Sequence, residues 1–260
     1  MSIPTEQSLP AAYRLDGYVI VREGIDADLV AEAQQHVHWL IKENPGVRPE
    51  QLHAHLAVND PFWIRLVSDE RLLDIAQQFI GTDIALFATH YICKPPQTGQ
   101  PVLWHQDGSY WPLDPMEVIT LWLAVTDSNP ENGCMRVIPR THHVQLDTME
   151  QRPELESVLG SAIRSELVEE SKAVDVVLRA GDVSLHHPNL IHGSEANHSA
   201  LWRMGLTIRY IPTSTRILKP EMAAPFLLRG RAVPGINSYL PRPKFDGSRH
   251  MPFRGADRFL

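Results

Sequence analysis

Apolar residues recur at spacings of three and four in two early stretches of the chain, and at a spacing of two through most of the remainder. Leu29, Val30, Ala33, Val37, Leu40 and Ile41 fall on one side of a helix that Asp26 can cap and that Pro45-Gly46 ends. Ile64, Val67, Leu72, Ile75, Ala76 and Phe79 predict a second helical stretch over about 61–80, with Gly81 as its stop. A short strand over 17–21 precedes the first helix. From Asp83 the pattern predicts strands over 84–93, 102–107, 118–126, 135–138, 173–178, 182–187 and 201–211. The turn-forming runs PPQTG, NPENG, AGD and ANHS separate them. This is a mainly β protein with flanking helices, and strands so closely spaced predict a sandwich or barrel. An acidic insert over 151–172 is partly helical by pattern, is expected outside the sheets, and is assigned no chemistry.

Composition narrows the class. With 260 residues, 43% of them hydrophobic and 21% charged, the chain has the make-up of a folded globular domain, and a β-barrel of this size is commonly one domain. A single domain over 1–260 is therefore expected: a helical part over 1–82, a barrel core over 83–212, and a C-terminal segment over 213–260. The net charge of −7 provides no global positive field for nucleic acid or an anionic membrane. No run approaches the roughly 20 apolar residues of a membrane span, and MSIPTEQSLP lacks the basic and apolar regions of a secretory leader. Cys93 and Cys134 form no ligand or disulfide framework, which fits a reducing cytoplasm. The charge is uneven, because residues 216–260 hold nine Lys and Arg against three acids. That segment is either a candidate lid favouring an anionic substrate or a basic tail docked on its own acidic body. Monomer and homodimer are both compatible with the sequence.

Two places hold residues suited to chemistry. His105-Gln106-Asp107 is the one His-x-Asp/Glu in the chain and closes a predicted strand, where side chains at i and i+2 project to the same side and can share a metal. By itself it could equally be a surface histidine beside a turn-capping aspartate. The second place is His186-His187-Pro-Asn-Leu-Ile-His192-Gly-Ser194, with Arg203 eleven residues after His192. Alternation over 201–211 sets Trp202, Met204, Leu206, Ile208 and Tyr210 on one face and Arg203, Gly205, Thr207 and Arg209 on the other. Facing solvent, the two arginines would be ordinary edge charges. Lining a barrel, Arg203 would need an anion, and a dicarboxylate cosubstrate supplies one. His105, Asp107 and His192 together make the two-histidine, one-carboxylate set that leaves three positions open on Fe(II).

Ordered blocks from Asp16 to Tyr210 resemble the phytanoyl-CoA dioxygenase family of Fe(II)/2-oxoglutarate oxygenases. They are Asp16-Gly-Tyr-Val-Ile-Val21, Lys94-Pro-Pro96, Leu103-Trp-His-Gln-Asp107, Asn132-Gly-Cys-Met-Arg-Val-Ile-Pro139, Thr141-His142, Gly181-Asp182, and His187-Pro-x-x-Ile-His192-Gly-Ser194 with Arg203. The resemblance implies a double-stranded β-helix, or jelly-roll, barrel. It implies Fe(II) on His105, Asp107 and His192, and 2-oxoglutarate on Arg203, with Trp122 and Ser194 beside it. With O2 as co-reactant, the implied outcome is hydroxylation of a small molecule with release of succinate and CO2. Retention of Asp107, which related halogenases replace by Gly or Ala, argues against halogenation. Ser109, Tyr110 and Trp111, which come directly after the metal motif, and Arg209 are candidate substrate contacts. His186 and His187 are read as satisfied structural histidines. His90 and Thr89 sit on a strand that lines the pocket in similar proteins, and alternation does not tell which faces in. The alternative is a cupin-type metal-binding barrel without 2-oxoglutarate, or a non-catalytic one, in which Arg203 has no task.

Overall fold

Gly17, at φ 82°, turns an eight-residue helix, Leu9–Asp16 (α1), into the strand Tyr18–Val21 (β1), and the computed structural model describes residues 8–146 and 149–260 in all. The Asp26 carboxylate then accepts the Leu29 amide at 2.8 Å and starts Ala27–Glu43 (α2), whose buried side includes Leu29, Val30, Ala33, Val37 and Leu40. The apolar stretch over 61–80 forms two helices, not one: Pro61–Val67 (α3) and Glu70–Ile80 (α4). The break lies at Ser68-Asp69. Ser68 Oγ donates back to the Ile64 carbonyl at 2.6 Å, and Asp69 accepts from the Arg71 amide at 3.1 Å as a new N-cap. Both side chains bond local backbone and so compete with helix continuation.

The strands beyond α4 are Ile84–Lys94 (β2), Val102–His105 (β3), Ile119–Ala124 (β4), Met135–Val137 (β5), Val174–Asp175 (β6), Val183–His186 (β7), His192–Ser194 (β8), Arg203–Pro212 (β9) and Phe226–Arg229 (β10). They build two sheets, ordered β1-β7-β4-β9-β2-β10, with Leu52–His53 also paired to β2, and β6-β5-β8-β3. Every pairing is antiparallel. The protein is a double-stranded β-helix. The strand expected over 173–178 shrinks to two residues, and the expectation of partial helix in the insert is not met. Over 151–172 the chain makes single 3-10 turns at Ser165–Leu167 and Glu170–Lys172, and a two-residue pairing of Glu150–Gln151 with Ser161–Ala162. Gly160, at φ 66°, provides the reversal that a helix would forbid.

Strand alternation separates stability from chemistry. On the larger sheet Met204, Leu206, Ile208 and Tyr210 of β9, and Leu121 and Leu123 of β4, pack against α2, α3 and α4 in one continuous core. The opposite face of the same strands presents Arg203, Thr207, Arg209 and Trp122 to the space between the sheets. The C-terminal segment adds β10 to the sheet edge and then crosses the helical side. There Arg229 pairs with Glu70 and Asp74, Arg254 pairs with Asp28, and Phe253 meets Phe62 edge-on at 5.5 Å. Among the described residues these two of its nine basic side chains pair with acids of the body, and no described residue after Arg209 lines the central cavity. No helix among the described residues is long and apolar enough to cross a membrane.

One buried polar contact joins the helical layer to itself. Asp60 caps α3 by accepting the Trp63 amide at 2.9 Å and meets His36 Nε2 of α2 at 2.8 Å, with Tyr91 Oη 3.2 Å from the other ring nitrogen. Asp60→Ala removes the cap and strands a buried imidazole, so it should lower unfolding free energy by about 2–4 kcal/mol in urea titration. A loss below about 0.5 kcal/mol, the size of an ordinary surface change, would contradict this role.

Candidate active site

β8 pairs with β3 so that His192 lies directly opposite His105, with their ring centroids 4.0 Å apart. The chain then leaves β3 in a 3-10 turn, Asp107–Ser109, which returns the Asp107 carboxylate to within 3.5 Å of His105 Nε2. One ligand atom from each of His105, Asp107 and His192 lies within 4.8 Å of the others, and all three residues are buried. Gln106, the middle residue, anchors the turn. Its amide nitrogen donates to the Val144 and Asn189 carbonyls at 2.8 and 2.6 Å, and its oxygen accepts the Leu146 amide at 2.8 Å.

The cluster is arranged for a cation. His105 Nδ1 donates to the Leu103 carbonyl at 2.8 Å and His192 Nδ1 to the Leu190 carbonyl at 2.9 Å. A carbonyl only accepts, so the proton sits on Nδ1 and both Nε2 lone pairs are free for a metal. Burial pushes His192 well below its ordinary value, helped by His105 and His186, which keeps it neutral and able to ligate. Burial alone would raise the Asp107 carboxyl. The Arg209 guanidinium, with the His105 and His186 rings beside the carboxylate, outweighs that and holds it well below the usual carboxylate range. Two imidazoles and one carboxylate suit a divalent metal that keeps further positions open.

Next to this cluster lies buried positive charge. Arg203 is 2% exposed, and it donates to the Gly133 and Ile92 carbonyls at 3.2 Å each and to Ser194 Oγ at 3.4 Å. Lys94, fully buried, donates to Ser194 Oγ at 2.7 Å and to the Glu195 carbonyl. Among the described residues neither cation forms a salt bridge. Burial brings Arg203 down to about 10, and burial with the neighbouring Arg203 brings Lys94 down to about 5. Trp122 closes one side, with the Arg203 guanidinium 5.3 Å from its ring centre. Gly205 makes room for it, because a Cβ there would lie 2.0 Å from Trp122 Cζ2.

The candidates read from the sequence divide cleanly. His105, Asp107, His192, Arg203, Ser194, Trp122 and Arg209 all line one cavity. Ser109 and Tyr110 turn away from it: Ser109 Oγ donates to the Leu146 carbonyl at 2.8 Å, and Tyr110 Oη lies 2.6 Å from Ser161 Oγ. Trp111 stacks on the Arg209 guanidinium at 5.1 Å. His187 is structural as expected, accepting the Asn189 amide at 3.0 Å, but His186 is not. Its ring lines the cavity 3.4 Å from Asp107 Oδ2, and its Nδ1 has no partner among the described residues. His90 faces in, whereas Thr89 faces the helices and accepts from Trp63 Nε1 at 3.3 Å. Leu159 of the insert also reaches the cavity, and Lys94 stands out in the sequence only as part of a block.

Because the Trp122 ring occupies the place of a side chain at 205, Gly205→Ala should displace the indole. We expect an altered near-ultraviolet circular dichroism spectrum and a cost of about 1–3 kcal/mol from overpacking, with far-ultraviolet signal retained. An unchanged near-ultraviolet spectrum would show that the ring is not held there.

Comparison with known proteins finds similar oxygenases. The ectoine dioxygenase of Sphingopyxis alaskensis is 25% identical over 89% of this chain and 85% of its own length. A probable alpha-ketoglutarate-dependent hypophosphite dioxygenase of Stutzerimonas stutzeri is 30% identical over 56% of this chain, which spans about half (51%) of that relative. Among solved structures, a non-heme monooxygenase in its apo form superposes with a TM-score of 0.77 at 25% identity, covering 91% of this chain and 88% of the other. The family model for phytanoyl-CoA dioxygenase (PhyH) matches residues 13–205, a span that contains the metal-type cluster and both neighbouring cations, and the chain belongs to that family.

Proposed function

We propose that this chain is an Fe(II)- and 2-oxoglutarate-dependent oxygenase that hydroxylates an unactivated C–H bond of a small, anionic molecule in the cytoplasm. The observation that carries the reading is the meeting, in one cavity, of a two-histidine, one-carboxylate cluster and a buried guanidinium without an acid. In this reading His105, Asp107 and His192 hold the iron. Arg203, Ser194 and Trp122, with Lys94 behind Ser194, receive the distal carboxylate of 2-oxoglutarate. Bound there, Fe(II), 2-oxoglutarate and O2 supply the oxidant for hydrogen abstraction and release succinate and CO2.

The protein's own groups then have definite tasks. The Leu103 and Leu190 carbonyls fix the tautomers of the ligand imidazoles. Arg209 and His186 keep Asp107 ionised, and a retained carboxylate argues against halogenation. The two sheets exclude water from the reacting centre. A cationic cavity favours an anionic substrate, and hypophosphite, in the name of one relative, is an anion. Cys93 and Cys134 are buried free thiols, in keeping with a reducing compartment.

The direct test is Fe(II)- and O2-dependent conversion of 2-oxoglutarate to succinate by the purified protein. His192→Ala and Asp107→Ala should abolish it, and Arg203→Ala should raise the KM for 2-oxoglutarate about a hundredfold, as loss of a buried charge partner does. Succinate formation indifferent to Arg203, or metal binding with no succinate, would leave the cupin-type alternative. A second expectation concerns protons. With its ammonium brought down to about 5, Lys94 is neutral at pH 7 until an anion arrives. An arriving carboxylate raises that value, so 2-oxoglutarate binding to metal-loaded protein should take up protons. Calorimetry in buffers of different ionisation enthalpy should show uptake in wild type and none in Lys94→Met. Equal proton counts in the two proteins would contradict the assignment.

A further inference from the structure

Beyond the metal cluster, opposite the Arg203 end, the cavity meets a second guanidinium that the proposed reaction leaves without a counterion. Arg209 follows Arg203 by six residues on the same face of β9, about 20 Å along an extended strand, so one carboxylate cannot engage both. Its side chain is 13% exposed, and its nearest acid is Asp107, with Oδ1 at 4.0 Å. Once Asp107 ligates a divalent metal, its charge is committed there, and Arg209 is left as a desolvated cation. Its Nε has no hydrogen-bond partner among the described residues.

Two neighbours shape what could meet it. Directly across from Arg209 in the β9–β4 ladder is Thr120, fully buried, whose hydroxyl also has no partner among the described residues. Residues paired this way in antiparallel strands project to the same face, so the hydroxyl and the guanidinium lie side by side. The guanidinium carbon lies over the Trp111 ring, 5.1 Å from its centre, and its Nε edge makes no hydrogen bond among the described residues. An edge of paired N–H donors matches the two oxygens of a carboxylate.

Resting on the oxygenase reading of the same cavity, we propose that Arg209, with Thr120 beside it and Trp111 over it, is the anchor for a carboxylate of the primary substrate. The substrate is then a small carboxylic acid held by its acid group on the side of the metal away from 2-oxoglutarate. The C–H bond to be oxidised lies in the part of the molecule that extends from Arg209 towards the His105, Asp107, His192 cluster.

The test uses protein loaded with Mn(II) and 2-oxoglutarate, so that the Arg203 end is filled and no turnover occurs. Saturation-transfer NMR would compare small carboxylic acids with their primary amides, benzoate against benzamide and hexanoate against hexanamide, in wild type, Arg209→Gln and Arg209→Lys. The expected result is that acids bind wild type and amides do not, that Arg209→Gln weakens the acids at least tenfold, and that Arg209→Lys, which keeps the charge but loses the planar fork, weakens them less. Binding of 2-oxoglutarate is measured first in the same samples, and each protein is compared at saturating metal and 2-oxoglutarate, so that any effect of Arg209 on the metal ligand Asp107 is separated from acid binding. Three results would overturn the proposal: acids and amides binding alike, no acid binding to wild type, or acids binding equally well to Arg209→Gln. A variant that loses 2-oxoglutarate while its acid preference is unaltered would make Arg209 only a positioning partner of Asp107, and would also overturn it. Failure of wild type to bind 2-oxoglutarate at all contradicts the oxygenase reading instead, so the two failures are told apart.

Discussion

Basic side chains withdrawn from solvent without matching acids are the constraint around which this molecule is organised. Arg203, Lys94 and Arg209 sit in or beside one cavity to whose lining the described residues contribute a single carboxylate, Asp107. An isolated cation in such surroundings is strongly disfavoured, and burial accordingly lowers the proton affinity of all three. The fold tolerates this because each head group has backbone carbonyls, a hydroxyl or an aromatic face against it. Those contacts position the head groups without supplying an acid, which in the proposed reading is the task of anions from outside.

Strand alternation makes the arrangement compatible with a stable fold. Along β9 every second residue packs on the helices, and the residues between them face the cavity, so the core that stabilises the protein and the groups that line the cavity share a backbone without sharing space. The same parity sets the metal-type cluster. His192 reaches His105 only because β8 and β3 pair in this register, and a slip of one residue would send one of the imidazoles to the far side. Gln106 and the Leu103 and Leu190 carbonyls then fix details that register alone leaves open, namely the path of the turn and the tautomers of the rings.

Much of this is legible in the chain, for reasons that are local. Asp26 and the three-and-four spacing after it specify α2, and the alternation over 201–211 separates the cavity face of β9 from its core face before any coordinate is known. His105 and Asp107 are close in sequence and so are easy to associate. The features that the sequence hides depend on partners far along the chain. His186 looks like a satisfied histidine until the β7–β4 pairing brings it over Asp107, and Lys94 looks like part of a turn until Ser194 is placed against it. His90 and Thr89 are neighbours of similar polarity, and only the packing of Trp63 on Thr89 decides which one faces in. The split between α3 and α4 is hidden because the apolar period continues across it while Ser68 and Asp69 redirect the backbone.

The most direct measurement is an anaerobic titration of the Fe(II) protein with 2-oxoglutarate, monitored through the weak visible charge-transfer band of a metal-chelated 2-oxo acid. A saturable band is expected in wild type and should be lost in His192→Ala. In Arg203→Ala the band should return only at much higher 2-oxoglutarate. Iron bound tightly with no band at any concentration, or a band equally strong without Arg203, would contradict the claim that this cavity unites a metal with a dicarboxylate.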